Sequence, residues 1–116
     1  MATAENTEAE SYVAEVQERL TTPGERECLA CYVQRMLGEF GCDNTLRWAL
    51  RWRDLRAPRA TALHRSLEDR GGFCDCEVAL NVYPDYMTLD AAGPLPECVG
   101  VARRGSTWPC RAPRRT

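Results

Sequence analysis

Gly71-Gly72-Phe73-Cys74-Asp75-Cys76-Glu77-Val78-Ala79-Leu80-Asn81-Val82 is the stretch on which the architecture turns. Cys74, Cys76, Val78, Leu80 and Val82 alternate with Asp75, Glu77, Ala79 and Asn81, a period of two that predicts a half-buried β-strand starting at Phe73. A lone strand is unstable, so residues 98–102, beyond the loop at Pro94 and Pro96, are the expected second strand, unless another copy of the chain pairs with the edge. The residues before this stretch read as helices. The expected fold class is therefore α+β: a small helix-rich domain of about four helices, then a strand carrying a Cys-x-Cys, and a disordered tail.

Working back towards the N-terminus, Thr7 and Glu10 have capping-box spacing, and Tyr12, Val13, Val16 and Leu20 follow at helical intervals. Thr22-Pro23 with Glu25 predicts the start of a second helix running to Phe40, with Gly41 as its stop and Leu29, Tyr32, Val33, Met36, Leu37 and Phe40 as its apolar stripe. Residues 46–53 fit either a strand or a helix. Leu, Ala and Arg favour a helix, capped by Asp43 or Thr45 and apolar on two faces through Trp48, Trp52 and Leu55 on one side and Leu46, Ala49 and Leu50 on the other. Pro58 starts a further helix bearing Ala60, Leu63 and Leu67, which ends at Gly71-Gly72. The organisation read from this pattern is a weakly docked amphipathic helix over residues 1–21, one cysteine-containing domain over residues 22–102, and a disordered basic tail over residues 103–116.

A chain of 116 residues accommodates one modest core and no separate cofactor domain. It has no apolar run of about 18 residues to span a membrane, and its acidic first twenty residues do not suit a secretory signal, so the cytoplasm is the expected location. All 15 basic residues are arginine, a compositional bias that carries little functional information. The net charge of −2 conceals blocks: −6 over residues 1–45, +4 over 46–70, −5 over 71–102 and +5 from Arg103 onward. Such segregation suits either internal pairing or one basic face towards an anionic partner.

Seven cysteines are too many for a small cytosolic chain unless some bind metal or do redox work. Cys28 and Cys31 form a Cys-x-x-Cys, and Cys74 and Cys76 form a Cys-x-Cys. Two close pairs of thiolates are what a tetrahedral zinc site requires, so Cys28, Cys31, Cys74 and Cys76 are the first predicted ligand set. If the second helix is unbroken, Cys31 and Cys42 lie roughly 16 Å apart along it, and one ion cannot take both. The alternative set is Cys42, Cys74 and Cys76 with His64, Asp43 or Glu77. Cys98 and Cys110 are scattered in sequence poor in structure and stand outside both sets. Apolar thiols also fill cores without any chemistry, which fits the inward parity of Cys74 and Cys76. Thiol redox chemistry calls for a thiolate at a helix N-terminus or beside a cation, and neither pair is expected in that setting.

Cys42-Asp43-Asn44-Thr45-Leu46-Arg47, followed by Gly71-Gly72-Phe73-Cys74-Asp75-Cys76-Glu77-Val78, resembles an uncharacterised bacterial family of small domains of unknown function. The likeness covers about residues 25–83, and the element Cys28-Leu29-Ala30-Cys31 is similar to an actinobacterial branch of it. The resemblance implies no activity, because the family has none assigned.

These readings converge on a zinc-stabilised interaction or regulatory domain without catalysis, with a protein partner and the strand edge as a route to homo-oligomers. Two alternatives stand beside it. One is a nucleic-acid-binding module using Arg47, Arg51, Arg53, Arg56, Arg59 and Arg65 with the tail. The other is a thiol redox protein using the Cys-x-x-Cys or the Cys-x-Cys.

Overall fold

The computed structural model describes residues 2–84 and 98–110, with side chains from residue 11 onward. Helix α1 spans Ala2–Thr21, α2 Leu29–Phe40, α3 Arg47–Arg56, α4 Leu63–Asp69 and α5 Asp75–Glu77, and α5 runs directly into a π-helical stretch, Val78–Val82. No strand is present among the described residues, which corrects the α+β expectation: the described protein is helical.

The correction lies within the opening stretch. From Phe73 onward its buried residues are Asp75, Val78, Ala79 and Val82, spaced i, i+3, i+4 and i+7, which is the stripe of a helix and not of a strand. Cys76 and Leu80, expected on the inner face of a strand, are exposed. The alternating pattern misled because one member of the helical stripe is an aspartate and another the small Ala79. Residues 98–102 likewise form no strand; Val101 instead makes a single backbone link, its N–H donating to the Arg26 carbonyl at 2.8 Å. With no strand edge among the described residues, the proposed route to homo-oligomers loses its basis.

Helix α1 starts at Ala2, ahead of the expected cap at Thr7. It leaves Tyr12, Val13 and Leu20 exposed, and its C-terminal end is held where Arg51 Nε donates to the Thr21 carbonyl at 3.0 Å. Helix α2 starts later than the Thr22-Pro23 signal suggested. Gly24 N–H donates to Glu27 Oε1 at 3.0 Å and Glu27 N–H to the Gly24 carbonyl at 3.1 Å, so residues 22–27 close into a turn. The helix then begins with Cys28 as its N-cap. Its buried face, Leu29, Tyr32, Val33 and Met36, follows the predicted stripe, and Gly41, at φ +80°, ends it by donating to the Leu37 carbonyl.

Residues 47–56 are helical, and α3 packs against α2. The Trp48 ring lies edge-on to Tyr32, with centroids 6.5 Å apart, and 5.5 Å from Phe40. Trp52 is buried and donates from Nε1 to the Glu27 carbonyl at 2.8 Å. The N-terminus of α3 is capped neither by Asp43 nor by Thr45. The fully buried Asp75 carboxylate, from the far end of the domain, accepts from Trp48 N–H at 2.9 Å and Ala49 N–H at 3.0 Å. Leu63 and Leu67 of α4 complete the core with Val78, Val82 and Tyr83.

Gly72 lies where α4 turns into the next segment. A Cβ there would sit 2.9 Å from Val78 Cγ2, 3.0 Å from Val82 Cγ2 and 3.1 Å from the Leu67 carbonyl oxygen, whereas one at Gly38, on α2, would meet nothing within 4 Å. Gly72→Ala is therefore expected to destabilise the fold by about 1–3 kcal/mol through overpacking. Gly38→Ala should stabilise it by about 0.5–1 kcal/mol, the ordinary helical preference for alanine. Urea denaturation of the two variants tests both signs; equal effects would contradict the close approach at Gly72.

Candidate metal centre

Four cysteine sulfurs converge at the N-terminus of α2. Those of Cys28, Cys31, Cys98 and Cys110 all lie within 4.8 Å of one another, and this is the only such group of three or more ligand-type side chains among the described residues. Cys31 Sγ and Cys110 Sγ are 3.6 Å apart. A tetrahedron of sulfurs around an ion at about 2.3 Å has edges of about 3.8 Å, so the cluster is near that size already. Cys28, Cys31 and Cys110 are buried and Cys98 is half-buried.

Local structure explains the convergence. With α2 starting at Leu29, the Cys-x-x-Cys straddles a helix start instead of lying on a helix flank. Cys28 Sγ accepts from the Cys31 N–H at 3.4 Å and from the Cys110 N–H. Cys98 Sγ accepts from the N–H groups of Cys28, at 3.3 Å, and Gly100, at 3.4 Å. The segment 98–101 is moored beside these by the link from Val101 N–H to the Arg26 carbonyl and by the Arg26 guanidinium, which donates to the Val101 carbonyl. Gly100, at φ +92°, permits the close approach: a Cβ there would be 3.3 Å from Arg26 Cβ.

The electrostatics follow from crowding. The hydrogen bond from the Cys31 thiol, aided by the Cys31 and Cys110 N–H groups and opposed by burial, brings the Cys28 thiol down to about 5. Cys31 is pushed far up by donating that hydrogen bond, by burial and by the charge on Cys28. Burial in turn lifts Cys98 to about 11, against the N–H groups that favour its thiolate. Of Cys28, Cys31 and Cys98, one thus ionises readily and the other two are held protonated, and a cation among the sulfurs would favour their thiolates. Such a set could hold a metal ion, with sulfur on every side.

The first predicted set is thereby divided. Cys28 and Cys31 join Cys98 and Cys110, while Cys74 and Cys76 lie beside Cys42, with which both interact through their thiols. Their separation has a physical cause: Asp75, between Cys74 and Cys76, is anchored on α3 and on the Thr45 carbonyl, so the Cys-x-Cys belongs to the loop after α2 and not to its beginning. Of the supplementary ligands considered for Cys42, Cys74 and Cys76, His64 faces Glu68 across a turn of α4 at 3.3 Å, and Asp43 binds the N–H and hydroxyl of Thr45. Cys98 and Cys110 were missed because their Gly- and Pro-rich surroundings carry no periodicity. The tail boundary at residue 103 moves for the same reason, since Cys110 is buried in the cluster; residues 111–116, and residues 85–97 with the loop expected at Pro94 and Pro96, lie outside the described residues.

A family likeness can now be placed on this geometry. Residues 29–81 match the family model described as protein of unknown function (DUF2695). The DUF2695 match runs from the start of α2 through α3 and α4 into the π-helical stretch, and so includes Cys31, Cys42, Cys74 and Cys76 but not Cys28, Cys98 or Cys110. Uncharacterised proteins of Mycobacterium bovis and Mycobacterium tuberculosis are 42% identical to the chain over 59 residues, which is 51% of this chain. The chain spans 60% of the length of these relatives. No solved structure matches it. Likeness to an uncharacterised family, expected from the two cysteine motifs, is thus shown, and with it a function that is unknown. No described helix is long and apolar enough to cross a membrane.

Proposed function

We propose that this chain is a zinc-stabilised, non-catalytic interaction module of the cytoplasm. The observation that carries this reading is the mutual approach of the Cys28, Cys31, Cys98 and Cys110 sulfurs within 4.8 Å, with backbone N–H groups aimed at them. An all-thiolate, closed, four-ligand set suits zinc in a structural role, whereas a catalytic zinc keeps an open position. The ion ties residues 98–110 to the start of α2 and adds stability that a small core lacks. Reduced thiols in this number suit a cytoplasmic location. A protein is the preferred partner because the segment the metal would hold presents Val99 and Trp108 to solvent, at 65% and 79% exposure, and exposed aromatic residues on a fixed segment suit protein contact. A nucleic-acid partner is less well supported, because two of the arginines it needs are occupied: Arg51 holds the Thr21 carbonyl and Arg56 those of Pro23 and Gly24.

The test is metal analysis of protein purified without added zinc, beside Cys98→Ser and Cys110→Ser. Zinc in the parent protein, with one equivalent lost in each variant, is expected. Less than about a tenth of an equivalent in the parent, with melting unchanged by chelator, would overturn the reading.

One observation favours thiol redox chemistry instead. Cys28 caps a helix N-terminus and its thiol is brought down to about 5, the setting expected of neither pair from sequence. Its thiolate would attack a substrate disulfide and expel one sulfur as thiolate; Cys31, giving its thiol proton to that expelled thiolate, would then attack the Cys28 sulfur of the mixed disulfide and release the other substrate sulfur as thiolate, leaving Cys28 and Cys31 joined as a disulfide and the substrate reduced. Cys28 is completely buried, so a substrate disulfide reaches it only when the cluster opens; protection of Cys28 by zinc from alkylation is common to both readings. Reduction of a small disulfide by metal-free protein, lost in Cys28→Ser, would support only the redox one.

A further inference from the structure

Cys42, Cys74 and Cys76 take no part in the four-sulfur cluster, and core filling does not explain them, since Cys76 is exposed and the other two are half-buried. Two loops bring them together. Cys42 follows Gly41 at the end of α2; Cys74 is the N-cap of α5 and Cys76 lies in its single turn. The loops are clamped: Asp75 N–H donates to the Thr45 carbonyl at 3.0 Å, and the buried Asp75 carboxylate grips the first N–H groups of α3. Within this clamp a backbone N–H points at sulfur. Cys42 Sγ accepts from Asn44 N–H at 3.3 Å, and the Cys74 and Cys76 thiols both interact with the Cys42 thiol. Asn44 adopts a left-handed backbone, φ 69°, in forming this turn.

Inert thiols have no need of such a donor, whereas sulfurs that carry charge are stabilised by one. The surroundings otherwise oppose charge. Asp43, Asp75 and Glu77 flank the three thiols in sequence, and each thiol that ionises repels the next. Three sulfurs brought together by two clamped loops, one of them supplied with an N–H donor, in an acidic setting and reachable by solvent, call for a cation. They are spaced more loosely than the first four, and Cys76 is free to turn towards an ion because it is exposed.

The geometry points to a second metal site, open to solvent, in which Cys42, Cys74 and Cys76 bind a thiophilic divalent cation through three sulfurs and leave a fourth position for water or an external thiol. The open position separates it in kind from the enclosed four-sulfur cluster: ions exchange here, and an outside ligand can reach them. It stands on different residues and independently of the proposed zinc module.

Cadmium is the suitable probe, because its nuclear resonance distinguishes three sulfur ligands from four. The full chain is loaded with Cd2+, and ions per chain are counted by mass spectrometry under native conditions. Two cadmium ions per chain are expected, with two resonances, of which one moves when a small thiol is added. The Cys42→Ser/Cys76→Ser double variant, which alters only half-buried and exposed side chains, is expected to bind one ion and to lose the thiol-sensitive resonance, with its helical circular dichroism unchanged. Cys110→Ser is expected to keep that resonance and lose the other. Two ions in the double variant, or a parent spectrum in which no resonance responds to thiol, overturns the second site; the parent spectrum decides this even if a variant folds poorly. A single ion lost from the double variant but kept in Cys110→Ser would uphold this site and overturn the four-sulfur reading.

Discussion

Removing the metal from the four-sulfur cluster, by chelator or by Cys110→Ser, is expected to lower the melting temperature by roughly 12–25 °C, equivalent to a loss of about 3–5 kcal/mol in a domain of this size. The effect is large because few other contacts hold residues 98–110. Outside the sulfur cluster their backbone is tied to the rest by the hydrogen bond from Val101 N–H to the Arg26 carbonyl and by the Arg26 guanidinium, and of their side chains Val101 and Cys110 are buried. Without the ion the sulfurs no longer tie residues 98–110 to the start of α2, while α2 and α3 retain the Tyr32, Trp48 and Trp52 packing. Hydrogen exchange should reflect this division: the Val101 and Cys28 amides lose protection on chelation, and those in the middle of α2 and α3 keep theirs. Uniform loss across all of these amides would show that the metal holds the entire fold, and unchanged melting would show that it holds none of it.

Asp75→Ala is expected to cost about 3 kcal/mol, the sum of a lost helix cap and a buried N–H left without a partner. The side chain is completely buried and serves two donors at the start of α3. Leu46, at the N-cap position, offers no side-chain acceptor of its own. Burial lifts the Asp75 carboxyl above the usual carboxylate range in spite of those two donors, so its acceptor oxygens matter more to the fold than its charge. Asp75→Asn keeps one such oxygen and should lose about half as much. Urea denaturation followed by tryptophan fluorescence, which reports directly on Trp48, measures both. Equal losses in the two variants would return the weight to the charge.

How far the sequence revealed this arrangement depends on where its signals were local. The apolar stripe of α2 and the stop at Gly41 were legible because they rest on spacing within one helix. Residues 47–56 were legible as a helix through composition. The Cys74–Val82 region was not, because its inward-facing set contains Asp75, and a buried aspartate looks like a surface residue until its partners, 26 and 27 residues away, are known. The same distance hid the cap of α3. In the metal centre, Cys28 and Cys31 were visible as a motif, but their partners come from a segment without periodicity. Even the start of α2 was displaced, because Glu27 closes a turn on Gly24 where Thr22 and Pro23 resemble a helix start. That displacement turned a pair thought to lie on a helix flank into one at a helix end.

The mooring of residue 110 beside residue 28 also fixes an order of events during synthesis. The sulfurs of Cys42, Cys74 and Cys76 can meet once the chain has grown past Cys76, whereas the four-sulfur cluster must wait for Cys110 and then close a loop of about eighty residues, an entropic cost of roughly 4 kcal/mol. A nascent chain therefore presents Cys28 and Cys31 as an unfinished pair while the helices behind them are already packing. Any ion captured early by that pair would be held by two sulfurs and readily lost, and only the arrival of the last cysteine would make it permanent.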